Sequence, residues 1–479
     1  MKQILFCVFA LLVFGAGMVL ALQQGQALQS SAVAVSSGSP VAVGAVTGVE
    51  PSASLIANLR QNLQEPLTRL FLQFIVIIVA ARICGMLAVK IRQPAVVGEM
   101  IAGILLGPSL LGWVLPNFSH FIFPASSLDS LRLFSQIGVC LFMFVVGMEL
   151  DVSQLKQQAR TAVLVSQASI LFPYLLGVVT ALFLFSTFAG PATSFTVFAL
   201  FIGISMSITA FPVLARILEE RGLTKSPLGI TALICAAMND VTAWCILALV
   251  VALAKAKSMA SAGFSIGLVV AFVLVTLFWI KPFLPRLLNR TTGNDGKLGK
   301  GVMTGVIAFV FACALATDVM GIHALFGSFL AGVVMPARHE FREFIRVRLE
   351  HFSAVFLLPL FFAFVGLRTQ VGLLNDTTGW LICAAIIATA TVGKLGGAMV
   401  AARLSGVNWI DSFALGALMN TRGLVELIAL NIGYDLGILS PRIFAMLVIM
   451  ALVTTCMTGP LLTFSDYLRA RKSLAVKPA

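Results

Sequence analysis

Residues 195–218 read FTVFALFIGISMSITAFPVLARIL, an apolar run long enough to cross a bilayer that carries Pro212 in its interior. Because proline removes a backbone hydrogen bond from a helix, this run is predicted to be a broken span. A second run, residues 411–433, is interrupted by Met419-Asn420-Thr421-Arg422-Gly423. Unwound backbone is tolerated at membrane depth only where protein or a water-filled cavity surrounds it. The two runs therefore predict discontinuous helices that meet at an internal site, with two ordinary kinks as the alternative.

The composition excludes a water-soluble fold. Of the 479 residues, 59% are hydrophobic and 11% are charged, whereas soluble domains carry about 25% charged residues. Apolar windows of spanning length fall at 68–88, 95–115, 130–150, 161–188, 195–218, 228–254, 263–285, 301–319, 321–336, 352–369, 379–403, 411–433 and 441–465. These thirteen windows predict an all-α polytopic membrane domain over residues 67–466, followed by a cytoplasmic tail at 467–479.

The N-terminal part of the chain differs from the rest. Lys2 precedes the apolar run from Ile4 to Leu22, which is typical of a secretory signal peptide. A membrane segment over residues 1–22 is the alternative, because the run is close to spanning length. Residues 23–66 are rich in Ser, Ala, Gly, Val and Gln, and we expect a flexible external segment there.

The net charge of +13 is explained by membrane orientation. Most of the 32 Lys and Arg residues fall between windows on one side of the predicted topology. Cytoplasmic loops carry such an excess. We therefore expect a multi-pass protein of the cell inner membrane with a periplasmic N-terminus and a cytoplasmic C-terminus, and no nucleic-acid partner.

The order of the windows predicts an internal repeat. The first six and the last six windows have opposite topology, and the window at 263–285 joins them as a linker helix. Each broken span is the fifth of its six, as expected for inverted repeats in secondary transporters. Windows within 161–254 and 379–465 would then form one bundle, and windows within 68–150 and 301–369 the other.

Four ionisable residues lie at membrane depth, where such groups are rare and functional by default. Asp240 lies in the middle of the window 228–254, and Lys394 lies at a similar depth in 379–403. Arg422 and Glu426 are four residues apart and share a helix face. A carboxyl group that is removed from water can bind a proton near neutral pH, and a bound cation competes with that proton. A structural bridge between Asp240 and Lys394 is the alternative.

The remaining candidates surround this carboxylate. Alkali cations prefer oxygen ligands, and the candidates for binding a cation or proton beside Asp240 are Asn239, Thr209 and Thr421. The charges of Lys394, Arg422 and Glu426 are expected to compensate the partial charges of the half-helix ends. Glu99 and Glu149 lie near predicted cytoplasmic ends and are possible accessory residues. The external His323 is either a pH sensor or a packed histidine.

Four motifs resemble the cation:proton antiporters of the bacterial Kef and plant CHX branch. They are QPAVVGEMIAGILLGPS at 93–109, GMELD at 147–151, GIHALFG at 321–327 and NTRGLVEL at 420–427. The resemblance implies an NhaA-like fold of about thirteen helices with crossed discontinuous helices, and a homodimer formed by the bundle of 68–150 and 301–369. It also places the ion-binding carboxylate at Asp240. Asn239 before it implies electroneutral exchange of one proton per cation. The basic residue of the family's eleventh span matches Lys394.

The expected function is therefore exchange of K⁺ or Na⁺ for protons by alternating access, in which cation and proton compete for Asp240. A cation channel and a proton-coupled symporter are the alternatives that stay open. The sequence contains no HExxH motif or nucleophile elbow, so we expect no enzyme and no cofactor. A nucleotide-binding regulatory domain is not expected in this chain.

Overall fold

The computed structural model of the chain describes residues 62, 65–91, 93–149, 159–191, 193–255, 259–284, 300–321, 323–336 and 338–475. Its α-helices are α1 (Pro66–Lys90), α2 (Ala95–Leu106), α3 (Leu111–Val114), α4 (Pro116–Ile122), α5 (Leu128–Glu149), α6 (Ala159–Phe188), α7 (Phe195–Ser207), α8 (Phe211–Glu220), α9 (Pro227–Lys255), α10 (Met259–Val275), α11 (Lys300–Val319), α12 (Ala324–Val333), α13 (His339–Phe352), α14 (Leu358–Arg368), α15 (Thr377–Leu404), α16 (Trp409–Met419), α17 (Leu424–Asp435) and α18 (Pro441–Ala475). Short π-helical segments, Thr276–Ile280 and Ser353–Leu357, follow α10 and α13. Within the described ranges the chain has no β-strand beyond one isolated bridge, Ala189 to Leu439.

The prediction of an all-α membrane fold is confirmed. Each predicted apolar window contains at least one helix. In the described part of the chain, ten helical segments are long and apolar enough to cross a bilayer, and α16 with α17 forms a further bent pair. The helices at Phe195–Ser205 and Ala324–Val333 are apolar but shorter. The exact number of crossings therefore stays a prediction. The predicted signal segment, residues 1–22, and nearly all of the predicted external segment lie outside the described residues.

Both predicted helix breaks are present. Between α7 and α8 the backbone is extended at Ile208 and Ala210. Pro212 lies in the first turn of α8, where backbone N–H groups make no bond within the helix. A proline is therefore tolerated there, and it marks the start of a new half-helix. Between α16 and α17 the axis bends by 43° at a break of four residues.

The helices pack in two groups. In one group α6 packs against α7, α9 and α15, and α15 also packs against α16 and α18. In the other group α2 packs against α1 and α14, α5 packs against α12 and α14, and α11 packs against α12. The broken helices belong to the first group. Roles for these groups as transport core and dimerisation bundle stay predictions.

The interval between the predicted windows 321–336 and 352–369 is occupied by the amphipathic helix α13, which carries Arg342, Arg346 and Arg348. Phe341, Ile345 and Leu349 recur every four residues and are buried, whereas Arg348 is exposed. This spacing places one apolar stripe against the fold and leaves the charges on the opposite face.

Close packing of α15 on α6 sets the position of Lys394. A Cβ atom on the preceding Gly393 would lie 2.9 Å from the Cα of Pro173 in α6. At Gly396, one turn later on α15, an added Cβ would meet nothing within 4 Å. Small residues allow helix backbones in membranes to approach closely. Gly393 therefore holds α15 against α6, while Gly396 has no such role.

We predict that Gly393→Ala lowers the thermal stability of the purified protein in detergent, because the added methyl group must push α6 and α15 apart. Overpacking of this kind costs about 1–3 kcal/mol. Gly396→Ala is the matched control and is expected to be neutral or stabilising, since alanine favours a helix over glycine by about 1 kcal/mol. Equal melting temperatures for the two variants would contradict the close packing.

Candidate functional site

The two helix breaks cross and hydrogen-bond to each other. The N–H of Ala210 donates to the carbonyl oxygen of Thr421 over 3.1 Å. The hydroxyl of Thr209 donates to the carbonyl oxygen of Met419 over 3.0 Å. These bonds satisfy backbone groups that the missing helical turns leave free, which is essential in hydrocarbon, where no water can replace them. The breaks thus form one structural unit.

Two cations cap the C-terminal end of α7. Arg422 lies in the opposite break and donates to the carbonyl oxygens of Ser205 at 2.8 Å and Met206 at 2.6 Å. The ammonium group of Lys394 donates to the carbonyl oxygen of Ser207. Free carbonyls give a helix C-terminus a partial negative charge. Both basic side chains are completely buried, and together they satisfy three carbonyl oxygens at the end of α7.

An acidic side chain balances this pair. Glu426 lies in the first turn of α17 and forms an ion pair with Arg422 across 3.2 Å. A carboxylate at a helix N-terminus is stabilised by the partial positive charge there. Arg422 therefore joins the start of α17 to the end of α7. Its guanidinium group is held by two hydrogen bonds in addition to the ion pair.

Asp240 lies at the centre of this arrangement without a hydrogen-bond partner of its own. The residue is fully buried in α9. Its carboxylate interacts favourably with the backbone N–H of Phe211, the first residue of α8, and with the charge of Lys394. In the described part of the chain, neither carboxylate oxygen accepts a hydrogen bond of ordinary geometry. The structural bridge to Lys394 is therefore not formed, and both oxygens stay available to a ligand.

The three predicted oxygen ligands differ in their bonding. Asn239 donates from Nδ2 to the hydroxyl of Ser169 over 2.8 Å, and its Oδ1 has no partner among the described residues. The Thr209 hydroxyl binds the opposite break, as described above. The Thr421 hydroxyl lies 3.3 Å from that of Thr458. The structure brings all three to the broken helices, and Asn239 alone presents an unused acceptor.

A cavity of about 460 Å³ reaches the helix breaks from one side. Its lining includes Pro212 in the first turn of α8 and Leu424 at the start of α17. Arg216, Glu219 and Arg346 also line it. These residues lie on the predicted cytoplasmic side. The cavity therefore extends to the first turns of the half-helices α8 and α17.

A smaller cavity, of about 30 Å³, lies on the predicted external side and is lined by His323, Ser135, Asn431 and Asp435 among others. Asp435, the last residue of α17, accepts from Arg368 of α14 over 2.5 Å and lies 3.6 Å from Arg132 of α5. These contacts join the group of broken helices to the second group of helices.

The accessory candidates lie apart from the crossed breaks. Glu99 in α2 is half-buried and interacts with Arg216, which lines the larger cavity. Glu149 is the last residue of α5, and its side chain lies outside what the structure describes. His323 caps the start of α12, where its Nδ1 accepts from Leu325 N–H at 3.5 Å. It is packed beside the smaller cavity, in keeping with the packed-histidine alternative.

Sequence reasoning missed several groups that complete the site. Asn420 lies in the second break with both amide atoms buried and without partners among the described residues. Thr455 in α18 accepts from the N–H of Arg422 at 3.0 Å. Ser169 binds Asn239. Small polar residues inside apolar windows were the available signal, since each must find a buried partner.

Crossed half-helices, buried charges that neutralise their ends and a carboxylate without a partner define an ion-transporting membrane protein of the NhaA-like fold. The sequence profile described as "Sodium/hydrogen exchanger, transmembrane" matches residues 75–464. The chain belongs to this family, which confirms the resemblance stated from the motifs.

Named relatives agree with this assignment. The chain is 44% identical over 389 residues to the Na⁺/H⁺ antiporter NhaS4 of Synechocystis sp., covering 81% of this chain and 94% of that protein. It is 34% identical over 443 residues to K⁺/H⁺ antiporter 1 of Saccharomyces cerevisiae, covering 90% of this chain and 50% of that protein. This chain thus spans about half the length of the yeast relative.

A solved structure shares the fold. The sodium proton antiporter MjNhaP1 from Methanocaldococcus jannaschii superposes with a TM-score of 0.58 at 14% identity, covering 84% of this chain and 97% of that one. At this identity the likeness supports the fold, and the chemistry of the site has to be argued from the residues of this chain.

Proposed function

We propose that this protein is a secondary active transporter that exchanges a monovalent cation, K⁺ or Na⁺, for protons across the inner membrane. The observation that carries the proposal is the fully buried Asp240 carboxylate, whose two oxygens have no hydrogen-bond partner in the described part of the chain. An unpaired charge in hydrocarbon is costly. Either a bound proton or a bound cation removes that cost, and an exchanger needs a site that binds these two ions alternately.

Competition at one carboxylate couples the two ions. A proton binds covalently to one oxygen of Asp240 and neutralises it. A cation needs the ionised carboxylate, so the two ligands exclude each other. If the site changes sides only when it is loaded, movement of a cation in one direction requires a proton in the other. The hydroxyls of Thr209 and Thr421 and the amide of Asn239 are proposed as further oxygen ligands.

The unequal cavities support alternating access. The larger cavity, about 460 Å³, leads to the helix breaks from the predicted cytoplasmic side, while the opposite cavity holds about 30 Å³. We interpret this arrangement as an inward-facing state. The group of broken helices would then move against the second group of helices to expose Asp240 on the other side, a rigid-body movement of the kind that inverted-repeat transporters use.

The neutral residue beside Asp240 supports electroneutral exchange. Asn239 cannot ionise, so Asp240 is the carboxylate that we propose changes its occupant during transport. A bound proton and a bound monovalent cation give this site the same net charge. One proton would therefore exchange for one cation, and the membrane potential would not drive the cycle.

The identity of the cation stays open between two choices. One relative is named as a Na⁺/H⁺ antiporter and another as a K⁺/H⁺ antiporter. Both ions take oxygen ligands. A homodimer formed by the second group of helices, and an outside N-terminus with a cytoplasmic C-terminus, complete the proposal.

We predict that Asp240→Asn abolishes exchange. In proteoliposomes with an internal pH dye, wild-type protein is expected to move protons when K⁺ or Na⁺ is added to one side. The variant, reconstituted at the same protein content as the wild type, is expected to match protein-free liposomes, because an amide takes up no proton near neutral pH and lacks the negative charge that the proposed cation site needs.

The exposed Asp129 in α5 gives the control for the D240N experiment, and Asp129→Asn should exchange at the wild-type rate. Proton movement that persists in Asp240→Asn would refute the carboxylate mechanism. A cation current without proton movement would indicate a channel instead. Movement of protons and cations in the same direction would indicate a symporter.

We predict that Asp435→Asn favours the outward-facing state, because it removes the ion pair with Arg368 that joins the two helix groups on the closed side. A partly exposed ion pair contributes up to about 1 kcal/mol, so several-fold faster labelling of the small cavity is expected. Ser135→Cys, in a cysteine-free background, reports this change through a membrane-impermeant thiol reagent applied from the predicted external side.

Asp376→Asn is the matched control for D435N. Asp376 pairs with Arg442, but these residues join α15 and α18 within one helix group. Asparagine also preserves the cap that Asp376 provides for Gly379 N–H. Equal labelling rates in the two variants would show that the Asp435 contact does not hold the closed side.

A further inference from the structure

The Asn239 amide is held between two elements. Asn239 lies in α9, and its Nδ2 donates to the Ser169 hydroxyl of α6 over 2.8 Å. Cys235, one turn earlier on α9, also faces α6 and contacts the carbonyl oxygen of Ala162 at 3.5 Å. Asn239 and Ser169 are both fully buried. This face of α9 is therefore packed on α6.

Ser169 determines which end of the amide faces it. The Ser169 hydroxyl donates its proton to the carbonyl oxygen of Ser166 at 2.8 Å. A hydroxyl has one proton to donate, so towards Asn239 the Ser169 oxygen acts as an acceptor. The network thus assigns the amino group of Asn239 to Ser169. Rotation of the amide by half a turn would instead place its oxygen against the Ser169 oxygen, whose single proton is already donated to Ser166.

This orientation leaves one oxygen free. The Asn239 Oδ1 is buried and accepts no hydrogen bond from the described residues. A buried acceptor without a partner costs free energy. It is followed directly in the chain by Asp240, whose two oxygens are also without partners. Apart from the backbone N–H of Phe211 beside Asp240, no donor among the described residues competes for these three oxygens, which fit a cation.

We propose that Ser169 is a positioning residue for cation binding. Its hydroxyl holds the Asn239 amide so that Oδ1 serves as a neutral ligand for a dehydrated K⁺ or Na⁺ bound by Asp240. This role rests on the proposed function and adds to it a residue that does not itself touch the ion.

The role affects the two transported ions differently. A proton on Asp240 forms a covalent bond to one oxygen and needs no further ligand. An alkali cation needs several oxygens to replace its water shell, as in the carbonyl rings of ion channels. Loss of the Asn239 ligand therefore weakens cation binding and leaves proton binding unchanged.

Ser169→Ala tests the proposal in proteoliposomes. Removing one hydrogen bond that orients the ligand is expected to raise the KM for K⁺ and Na⁺ on the order of fivefold. The maximal rate and its pH dependence at saturating cation should stay as in the wild type. Ser169→Thr retains the hydroxyl and is expected to restore the wild-type KM.

Ser166→Ala is the matched control. Ser166 lies one turn earlier on α6, is equally buried, and its hydroxyl has no partner among the described residues. The substitution retains the carbonyl that accepts from Ser169. The KM of Ser166→Ala is expected to equal that of the wild type. A raised KM in this variant would show that removing any buried hydroxyl from α6 has the same effect.

A double-mutant cycle with Asn239→Ala keeps the proposal falsifiable if Ser169→Thr does not fold. In the Asn239→Ala background, Ser169→Ala should raise the KM no further, because the group that it positions is gone. Additive effects, or equal KM values for wild type and Ser169→Ala, would overturn the positioning role alone. Absence of cation-dependent proton movement in the wild type would overturn the proposed function and, with it, this role.

Discussion

The structure depends on one constraint, namely that backbone exposed at a helix break inside a bilayer must find partners within the protein. The end of α7 presents the carbonyl oxygens of Ser205, Met206 and Ser207, and the buried cations of Arg422 and Lys394 take all three. Thr209 and the N–H of Ala210 take carbonyls of the opposite break. These backbone groups of the crossing are thus paired, while the side-chain amide of Asn420 in the second break has no partner among the described residues. The Asp240 carboxylate accepts no hydrogen bond of ordinary geometry from the described residues, and it is the site that we propose for the transported ions.

The crossing brings four buried ionisable side chains together. Arg422 and Lys394 are its basic pair, and Glu426 and Asp240 are its acidic pair. In the proposed cycle, a proton or a monovalent cation on Asp240 would raise the charge of this group by the same amount, so both loaded forms would meet the same electrostatic barrier.

Periodicity and local chemistry sufficed for the sequence to predict the helices, the two breaks and the buried charges. Pro212 signals a half-helix start, and Asp240 is prominent because charge is rare in a span. The partners were not predictable, because Arg422 binds carbonyls of residues more than two hundred positions away. The direction of the Asn239 amide likewise depends on a hydroxyl in α6. The arginines of α13 make this segment polar on average, so hydropathy did not reveal the apolar stripe in which Phe341 and its neighbours are buried.

The most direct test of exclusive binding at Asp240 is the number of protons released when K⁺ or Na⁺ binds to the purified protein in a weakly buffered detergent solution. We expect protons to leave as the cation binds. The apparent Kd should rise by up to about tenfold per pH unit on acidification, the limit for one competing proton, and Asp240→Asn should abolish both signals. Cation binding that releases no proton and has the same Kd at all pH values would contradict competition for this carboxylate.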